Sequence, residues 1–302
     1  MKKKPSKSSR LKVNQLTSLT EEEFEILLCE FDSEVVKKMK LYTLKGERRK
    51  YKPSSESSRS SLYGSRNKLN FMLMSMKGNM TQELLGMCFQ MSQPKVSEWF
   101  TYLLPVLESS LNNLKMCPEF GMSYRHQDNE ETHLLGDVTE REIPRKVCYS
   151  AQKEDFSGKS HMHAEKNFGI CNPEGRILFL SYSFSGSTHD KNIYDELEIS
   201  IAEVPFLLDL GFIGVDESGS TMVPFKKPKG KELGTVKKQI NQAMSKLRVK
   251  IEHVFAGLKR LRMLKEKIRI PCYSKRQMIV KIAAAIHNLR VQQRSSLIIN
   301  SQ

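Results

Sequence analysis

Leu134-Leu135-Gly136-Asp137-Val138-Thr139-Glu140-Arg141 contains an apolar run that ends in a carboxylate. A second run of the same form, Phe206-Leu207-Leu208, leads into Asp209. Short apolar runs of this kind predict buried strands, and a carboxylate at the end of each would bring two oxygen ligands to one edge of a sheet. A third acid, Glu252, lies in a long segment with helical periodicity. The sequence therefore predicts a sheet whose edge carries a carboxylate site.

Outward from these runs, the chain after Leu111 alternates short apolar segments with helical patterns. Strands are predicted at about 132–137, 163–172, 176–184, 204–209 and 221–225, a helix at about 190–200, and a long basic helix at about 235–266. Three successive strands, followed by a helix and further strands, are typical of a mixed sheet covered by helices.

The N-terminal part has helical periodicity instead. Thr20 to Glu23 resembles a capping box in front of a first helix. Residues 45–68 are basic and rich in serine, which predicts a solvated linker or loop. Further helices are predicted at 69–76, 81–89 and from Ser92, as a cap, to about 111.

The last two of these helices predict a helix-turn-helix at about residues 81–104, with a tight turn at Gln90-Met91. A buried stripe is predicted at Val96, Phe100, Leu103 and Leu107. It turns Gln93 and Lys95 outward, at the end of the second helix that enters a major groove in this motif. A plain three-helix core is the alternative interpretation.

Composition favours a polyanionic partner. The 302 residues include 49 Lys and Arg against 34 Asp and Glu, a net charge of +15, and 39% hydrophobic residues is ordinary for a globular protein. No apolar stretch approaches the roughly 20 residues that span a bilayer. The six cysteines form no CxxC pair, which favours a reducing compartment over a disulfide or zinc framework. Nucleic acid is therefore the expected partner, with no membrane contact.

The carboxylates suit divalent-metal chemistry on phosphodiesters. Mg²⁺ takes hard oxygen ligands and is often held by one or two carboxylates together with water and phosphate. The alternatives are a turn contact for Asp137 and a surface ion pair with Arg248 for Glu252. Asp190 competes with Asp209 as the second ligand, although capping of the following helix alone accounts for an Asp at that position.

At this point the chain resembles the DDE transposases of bacterial insertion sequences, in the branch related to Harbinger-type DDE superfamily endonucleases. The resemblance covers about residues 65–292. Its motifs are Asp137 to Arg141, Asp155 to Lys159 with His163 and Lys166, Gly186 to Asp190, Asp209 to Gly214, Pro224 to Pro228, Leu247 to Phe255 with Leu258 to Arg260, and Ala283 to Leu289. The family often has Gly or Ala where this chain has Val138, and a Lys-rich stretch where it has Ser160 to Met162; neither change touches a carboxylate.

The resemblance implies a ribonuclease H-like mixed sheet flanked by helices, preceded by an all-α helix-turn-helix domain. In that fold the first Asp lies on the first strand and the second at the end of the adjacent fourth strand. We therefore expect Asp137, Asp209 and Glu252 as the catalytic and metal-binding triad, with Asp190 near the metal. The implied cofactor is Mg²⁺ or Mn²⁺, as two ions.

The expected partner is double-stranded DNA, as transposon terminal inverted repeats and target DNA, bound by a homodimer or higher oligomer. Between Lys226 and Arg262 the chain has twelve Lys and Arg against Glu232 and Glu252, which predicts a phosphate-binding surface; a merely solvated helix face is the alternative. The candidate DNA-binding residues are Gln93, Lys95, Lys159, Lys166, Lys226, Lys227, Arg248, Lys259 and Arg260.

These observations predict a transposase that hydrolyses a phosphodiester and transfers the freed strand. The alternatives are a catalytically inactive or domesticated DNA-binding relative and a general DDE-type nuclease. The expected divisions are a basic flexible arm at 1–19, a helical domain at 20–115, a catalytic domain at 116–292 and a tail at 293–302. The expected location is the bacterial cytoplasm, with the nucleoid, or the nucleus of a eukaryotic host.

Overall fold

The computed structural model describes residues 13–51, 56, 60–126, 131–201, 203–215, 220–230 and 232–299. The chain divides into two compact units, Met1–Val106 and Leu107–Gln302. This division lies nearer the N-terminus than the expected boundary at residue 115. Residues 1–12 of the expected arm, 52–55 and 57–59 of the expected linker, and 300–302 of the expected tail lie outside the described residues.

The first unit is helical, as expected. Its helices are α1 (Val13–Thr17), α2 (Glu21–Leu41), α3 (Gly64–Gly78), α4 (Gln82–Phe89) and α5 (Gln93–Asn113), the last of which runs on into the second unit. The predicted capping box is present, because the Thr20 hydroxyl accepts from the Glu23 amide and the Glu23 carboxylate accepts from the Thr20 amide.

Helical structure extends into segments expected to be an arm and a linker. Residues 13–17 are helical, and Leu19 is fully buried. Lys68, at the end of the expected linker, lies within α3 with no exposed surface. Its ammonium pairs with Glu56 and donates to the Leu62 carbonyl at 2.7 Å. The basic composition of residues 45–68 does not predict the burial of Lys68. A buried Lys needs an acceptor or an acid as partner, and composition does not show which residue that is.

The predicted helix-turn-helix arrangement is present in α4 and α5. Thr81 caps α4, and Gln90 takes the left-handed conformation that ends it. The predicted stripe of Val96, Phe100, Leu103 and Leu107 is buried, whereas Gln93 and Lys95 are exposed at the start of α5. The exposed N-terminal turn of the second helix is the surface that such a motif uses on DNA, and DNA contact by these two residues stays a prediction.

We expect Gly86→Ala to destabilise this motif by about 1–3 kcal/mol, the usual cost of forcing extra atoms into a packed site. A Cβ at Gly86 would lie 2.4 Å from the Met91 carbonyl oxygen. This oxygen belongs to the backbone of the turn, so it cannot move aside as a flexible side chain could. This clash outweighs the gain of up to about 1 kcal/mol in helix propensity. Thermal and urea unfolding of the full chain measure the change. Met87→Ala, at a site that is 78% exposed on the same helix, is the control and is expected to stay within about 0.5 kcal/mol.

The second unit is built on a mixed sheet. Its strands are β1 (Glu119–Gly121), β2 (Ser123–Arg125), β3 (Leu134–Glu142), β4 (Phe156–Ser157), β5 (Met162–Cys171), β6 (Ile177–Ser181), β7 (Phe184–Ser185), β8 (Glu198–Ser200), β9 (Phe206–Leu207) and β10 (Thr221–Met222). Its helices after α5 are α6 (Tyr149–Asp155), α7 (Asp190–Glu196), α8 (Thr235–Leu258), α9 (Arg262–Lys265) and α10 (Tyr273–Ile299).

The main sheet has the order β1-β6-β5-β3-β9-β10, with β4 and β7 also paired to β5; β2 and β8 form a separate parallel pair. Strand β5 is antiparallel to β3 and β6, whereas β9 is parallel to β3 and β10 to β9. The long strand β3 thus lies beside the fourth strand of the β3-β5-β6-β9-β10 succession. This confirms the predicted mixed sheet flanked by helices and is consistent with a ribonuclease H-like domain.

Alternation along the strands gives the sheet two faces. On one face, aromatic and aliphatic side chains of the sheet, including Phe168 and Phe206, pack with Ile193 of α7. On the other face, α8 packs against β3 and α10 against β6. We call these the α7 face and the α8 face.

A buried ion network ties α10 to the α8 face. The Glu165 carboxylate pairs with Arg141 of β3 at 2.5 Å and with Arg276 of α10 at 2.6 Å, and all three side chains are at most 6% exposed. Further along α10, the Asn288 side chain accepts from the Ile177 amide and donates to the Ile177 carbonyl, both at 2.8 Å. Asn288 therefore acts as an extra pairing partner for strand β6.

Several elements are shorter than predicted. The strands at 204–209 and 221–225 are only two residues long, and the helix predicted at 190–200 ends at Glu196, before strand β8. The long basic helix ends at Leu258, where the turns that follow let Leu261, Met263 and Leu264 enter the core. In the opposite direction, the expected tail is helical as far as Ile299. Within the described ranges, no helix combines the length and apolar character needed to cross a bilayer.

Candidate functional site

Asp137 and Asp209 lie side by side on adjacent parallel strands. The register pairs Leu134 with Phe206 and Leu135 with Leu207. Asp137 follows Leu135 by two residues, and Asp209 follows Leu207 by two residues. The two aspartates therefore continue the same register just beyond the paired segment. Neighbouring strands are about 4.8 Å apart. The two predicted runs therefore bring their carboxylates to one edge of the sheet.

Both aspartates belong to the α8 face. Leu134 and Phe206 are in the core of the α7 face, and side chains alternate along a strand, so Asp137 and Asp209 point to the opposite side. Asp209 also begins a short 3₁₀ turn, in which its carboxylate accepts from the Leu210 amide at 2.7 Å. This local bond fixes Asp209 where the strand ends.

Arg248 of α8 supplies the cation at this edge. Its guanidinium lies 2.7 Å from an Asp209 carboxylate oxygen, and its side chain is only 12% exposed. The alternative in which Arg248 forms a surface pair with Glu252 is not what the structure has. The reason is tertiary, because α8 crosses the sheet where β9 ends and offers Arg248 a nearer carboxylate.

Electrostatics mark Asp137 as the most perturbed carboxyl of the group. Burial raises the pKa of Asp137 to about 6, and the charges of Asp209 and Asp190 act in the same direction. The Val138 amide, which donates to Asp137 at 2.8 Å, and the Arg248 charge oppose the rise. A half-buried acid with other acids nearby is an arrangement that a bound cation relieves.

Asp190 belongs to the α7 face. It is the first residue of α7, where the cap is the His189 side chain, so the capping explanation for Asp190 is wrong. Its carboxylate instead accepts from Lys166 of β5 at 3.0 Å. Lys166 is only 7% exposed and also donates to the Thr188 carbonyl at 2.8 Å. The ammonium therefore has two half-buried oxygen partners within the protein, and contact of Lys166 with DNA stays a prediction.

Glu252 is exposed on the stripe of α8 that crosses the sheet. One turn before it, Arg248 reaches Asp209; one turn after it, the Phe255 ring covers Gly169, where a Cβ would lie 3.1 Å from the ring. Gly169 is the cross-strand partner of Asp137. Residues four and three apart lie on one helix face, so Glu252 stands between two groups that border the aspartate pair.

Lys259 ends the same stripe of α8. Burial lowers the pKa of its ammonium, which also lies within the field of Glu140, Arg141 and Asp137. Gly169 was not among the residues predicted for the site, although a glycine inside a strand often marks a close approach of another element. That close approach is what allows α8 to lie directly over the aspartate edge.

The aspartate pair suits a hard cation. Across the described part of the chain, no three His, Cys, Asp or Glu side chains are close enough together to hold a metal ion. Mg²⁺ is nevertheless commonly bound by one or two carboxylates together with water and phosphate. Asp137 and Asp209 therefore fit such an ion as a pair, and a third ligand from α8 stays a prediction.

The other predicted DNA-binding residues lie at the surface to different degrees. Lys159, Lys226, Lys227 and Arg260 are exposed, and Lys259 is half-buried. Lys227 pairs with Glu232, a carboxylate that Lys238 also contacts. A basic surface therefore leads from the loop before α8 along that helix, and the DNA contacts themselves stay predictions.

Comparison with known proteins gives two matches. A family model described as DDE superfamily endonuclease matches residues 137–288, about half of the chain. The probable transposase for insertion sequence element IS702 of Microchaete diplosiphon is 30% identical over 144 residues, which cover 47% of this chain and 51% of that protein. The chain thus spans about half the length of this curated relative. No solved structure matches.

Proposed function

The chain belongs to the DDE superfamily endonucleases, and from this premise we propose that it is an insertion-sequence transposase that binds transposon-end DNA, cuts it and joins the freed strand to target DNA. The observation that carries the proposal is the common register of Asp137 and Asp209 beneath α8. The similarity to the probable transposase for IS702 supports the choice of element.

In this proposal Asp137, Asp209 and Glu252 hold divalent metal, Mg²⁺ or Mn²⁺, as the family implies. Bound divalent ions supply an activated water or 3′-hydroxyl and stabilise the leaving oxygen. Asp137 and Asp209 are held in place by the Val138 and Leu210 amides. Glu252 is exposed and held by no ion pair with another described residue, so its side chain is free to turn toward the pair.

The surrounding cations position the DNA in the same proposal. Arg248 borders Asp209, and its planar fork suits a phosphate oxygen as well as a carboxylate. Lys259 lies one turn beyond Phe255 on the same stripe. Gln93 and Lys95 would contact transposon-end sequence from the separate helix-turn-helix.

The experiment uses the purified full chain, a labelled duplex that carries the DNA flanking its gene, and Mg²⁺ or Mn²⁺. The expected result is nicking at the element boundary and, with target DNA present, strand transfer. Binding without cutting under any metal condition would favour the catalytically inactive relative. Equal cutting of a random-sequence competitor would favour a general nuclease. Light scattering of the DNA complex tests the expected dimer.

A further inference from the structure

A second basic site lies on the neighbouring side of α8, between that helix and α10. Here a pocket of about 310 Å³ opens to the surface, and the ionisable side chains that line it are Arg260, Arg290, Arg294, His253 and His287. All five are basic. A volume near 300 Å³ is the lower end of the usual range for small-ligand sites.

Arg290 is the feature that needs an explanation. It is only 5% exposed, yet it makes no hydrogen bond or ion pair with any other residue that the structure describes. Buried charges are normally paired, because loss of water costs an unpaired ion several kcal/mol. The buried Arg141 and Arg276 of the same unit follow this rule by sharing Glu165. Arg290 faces the pocket without such a carboxylate.

His287 shows that the field in the pocket is positive. Its Nε2 donates to the Gly175 carbonyl at 2.9 Å, since a carbonyl oxygen only accepts. Burial lowers the pKa of His287, and the charges of Arg294, Lys250 and Arg260 lower it further. The positive charge of the pocket therefore comes mainly from the guanidinium groups that surround the imidazole.

We propose that the α8–α10 pocket binds a phosphate group through Arg290, Arg294 and Arg260. Guanidinium forks bind phosphate oxygens in pairs, and three of them match a multiply charged tetrahedral anion better than a single carboxylate. The lining includes no Phe, Tyr or Trp on which a base could stack. The phosphate is a backbone phosphate of bound DNA or a free phosphate ion.

The DNA version of this site rests on the proposed function and adds an anchor to it. Glu252 is exposed on the side of α8 that carries Arg248, whereas His253 and Arg260 of the same helix line the pocket. A phosphate held there would fix a strand beside the carboxylates without touching them. The pocket would thus set the position of the duplex along α8.

The test compares the full chain with Arg290→Gln and Arg294→Gln. Arg269→Gln removes the same charge from an exposed arginine outside the pocket and is the matched control. The first measurement is thermal stabilisation by sodium phosphate relative to sodium chloride at equal ionic strength. We expect it for the wild type and the control, and we expect both pocket variants to lose most of it.

The second measurement is the salt dependence of binding to a random-sequence duplex in EDTA. Each lost phosphate contact lowers the slope of log Kobs against log salt by about 0.9, and we expect this for the pocket variants but not for Arg269→Gln. Loss of phosphate stabilisation with an unchanged slope would support a free-phosphate site and exclude the DNA source. Unchanged behaviour of the exposed Arg294→Gln in both measurements would overturn the proposal, even if Arg290→Gln fails to fold.

EDTA removes the divalent metal, so DNA binding by the pocket is measured without any DNA cleavage. Failure of the nuclease experiment leaves the pocket measurements unaffected. The pocket variants could bind phosphate and DNA as the wild type does, while the wild type cuts DNA normally with metal. That result would overturn the phosphate-site proposal and leave the transposase proposal intact.

Discussion

Asp137→Asn is expected to abolish metal-dependent cutting and strand transfer by the full chain. Loss of a residue that merely supports a metal ligand typically costs about 10–100-fold in affinity or activity, so loss of a ligand itself should exceed about 100-fold. Asn keeps the size of the side chain but removes the charge at the carboxyl whose pKa is raised most within the site. Gel assays of nicking and titration calorimetry with Mn²⁺ measure the two effects.

The fold should not suffer from this change. Burial raises the pKa of Asp137 to about 6, which means that ionisation of this carboxyl at neutral pH is less favourable in the folded protein than in the unfolded chain. The melting temperature of metal-free Asp137→Asn is therefore expected to equal or exceed that of the wild type. Salt-sensitive DNA binding should remain. Normal cutting by a well-folded Asp137→Asn would contradict the assignment of this carboxylate.

Two further substitutions divide the roles of Asp209 and Asp190. Asp209→Asn should match the loss caused by Asp137→Asn, because the two residues share a register and a face. Asp190→Asn should retain measurable cutting, since its carboxylate is committed to Lys166 on the α7 side. The opposite ranking would make Asp190 the second ligand. Asp195→Asn, at an exposed pair with Lys191, is the control for general loss of charge.

Glu165→Ala is expected to destabilise the second unit by about 3–5 kcal/mol, the usual cost of removing one partner from a buried ion pair. The reason is that Glu165 is the shared carboxylate of Arg141 and Arg276, so its loss leaves two buried guanidinium groups without compensation. Because Arg276 belongs to α10, docking of that helix should weaken as well. Urea unfolding and hydrogen exchange of α10 amides measure the effect.

Glu232→Ala is a closely matched control. Glu232 also pairs with two cations, Lys227 and Lys238, but all three side chains are more than half exposed. Water and salt screen such pairs, so the change should leave the free energy of unfolding nearly unchanged. Equal effects of the two substitutions would show that burial does not set the strength of the Glu165 network.

Local patterns were enough to predict most elements. The Thr20 capping box, the helix-turn-helix and the strands at β5 and β6 follow from bonds and periodicities within short segments. Lengths were less predictable. The fourth strand has two residues, and soon after it Asp209 begins a 3₁₀ turn with its own side chain as the cap. The fifth strand pairs with those two residues alone, and apolar runs do not encode either length.

The pairing of residues across the sheet could not be predicted from patterns within short segments. The choice between Asp190 and Asp209 as the neighbour of Asp137 depends on the pairing of β3 with β9, two segments far apart in the chain. A slip of one residue in that register would move a carboxylate to the other face. The same is true of Arg248, whose partner is Asp209 rather than the nearby Glu252.

By itself, the sequence determined which segments become strands and helices and which strands are followed by an acidic residue. It also determined that the protein carries a strong positive charge. Only the tertiary structure decided that Asp137 and Asp209 share one face, that Lys166 is buried, and that Arg290 lies unpaired in a basic pocket. The physical reason is that periodicity is a property of neighbouring residues, whereas register, burial and charge pairing are set by contacts between segments that meet only when the chain folds.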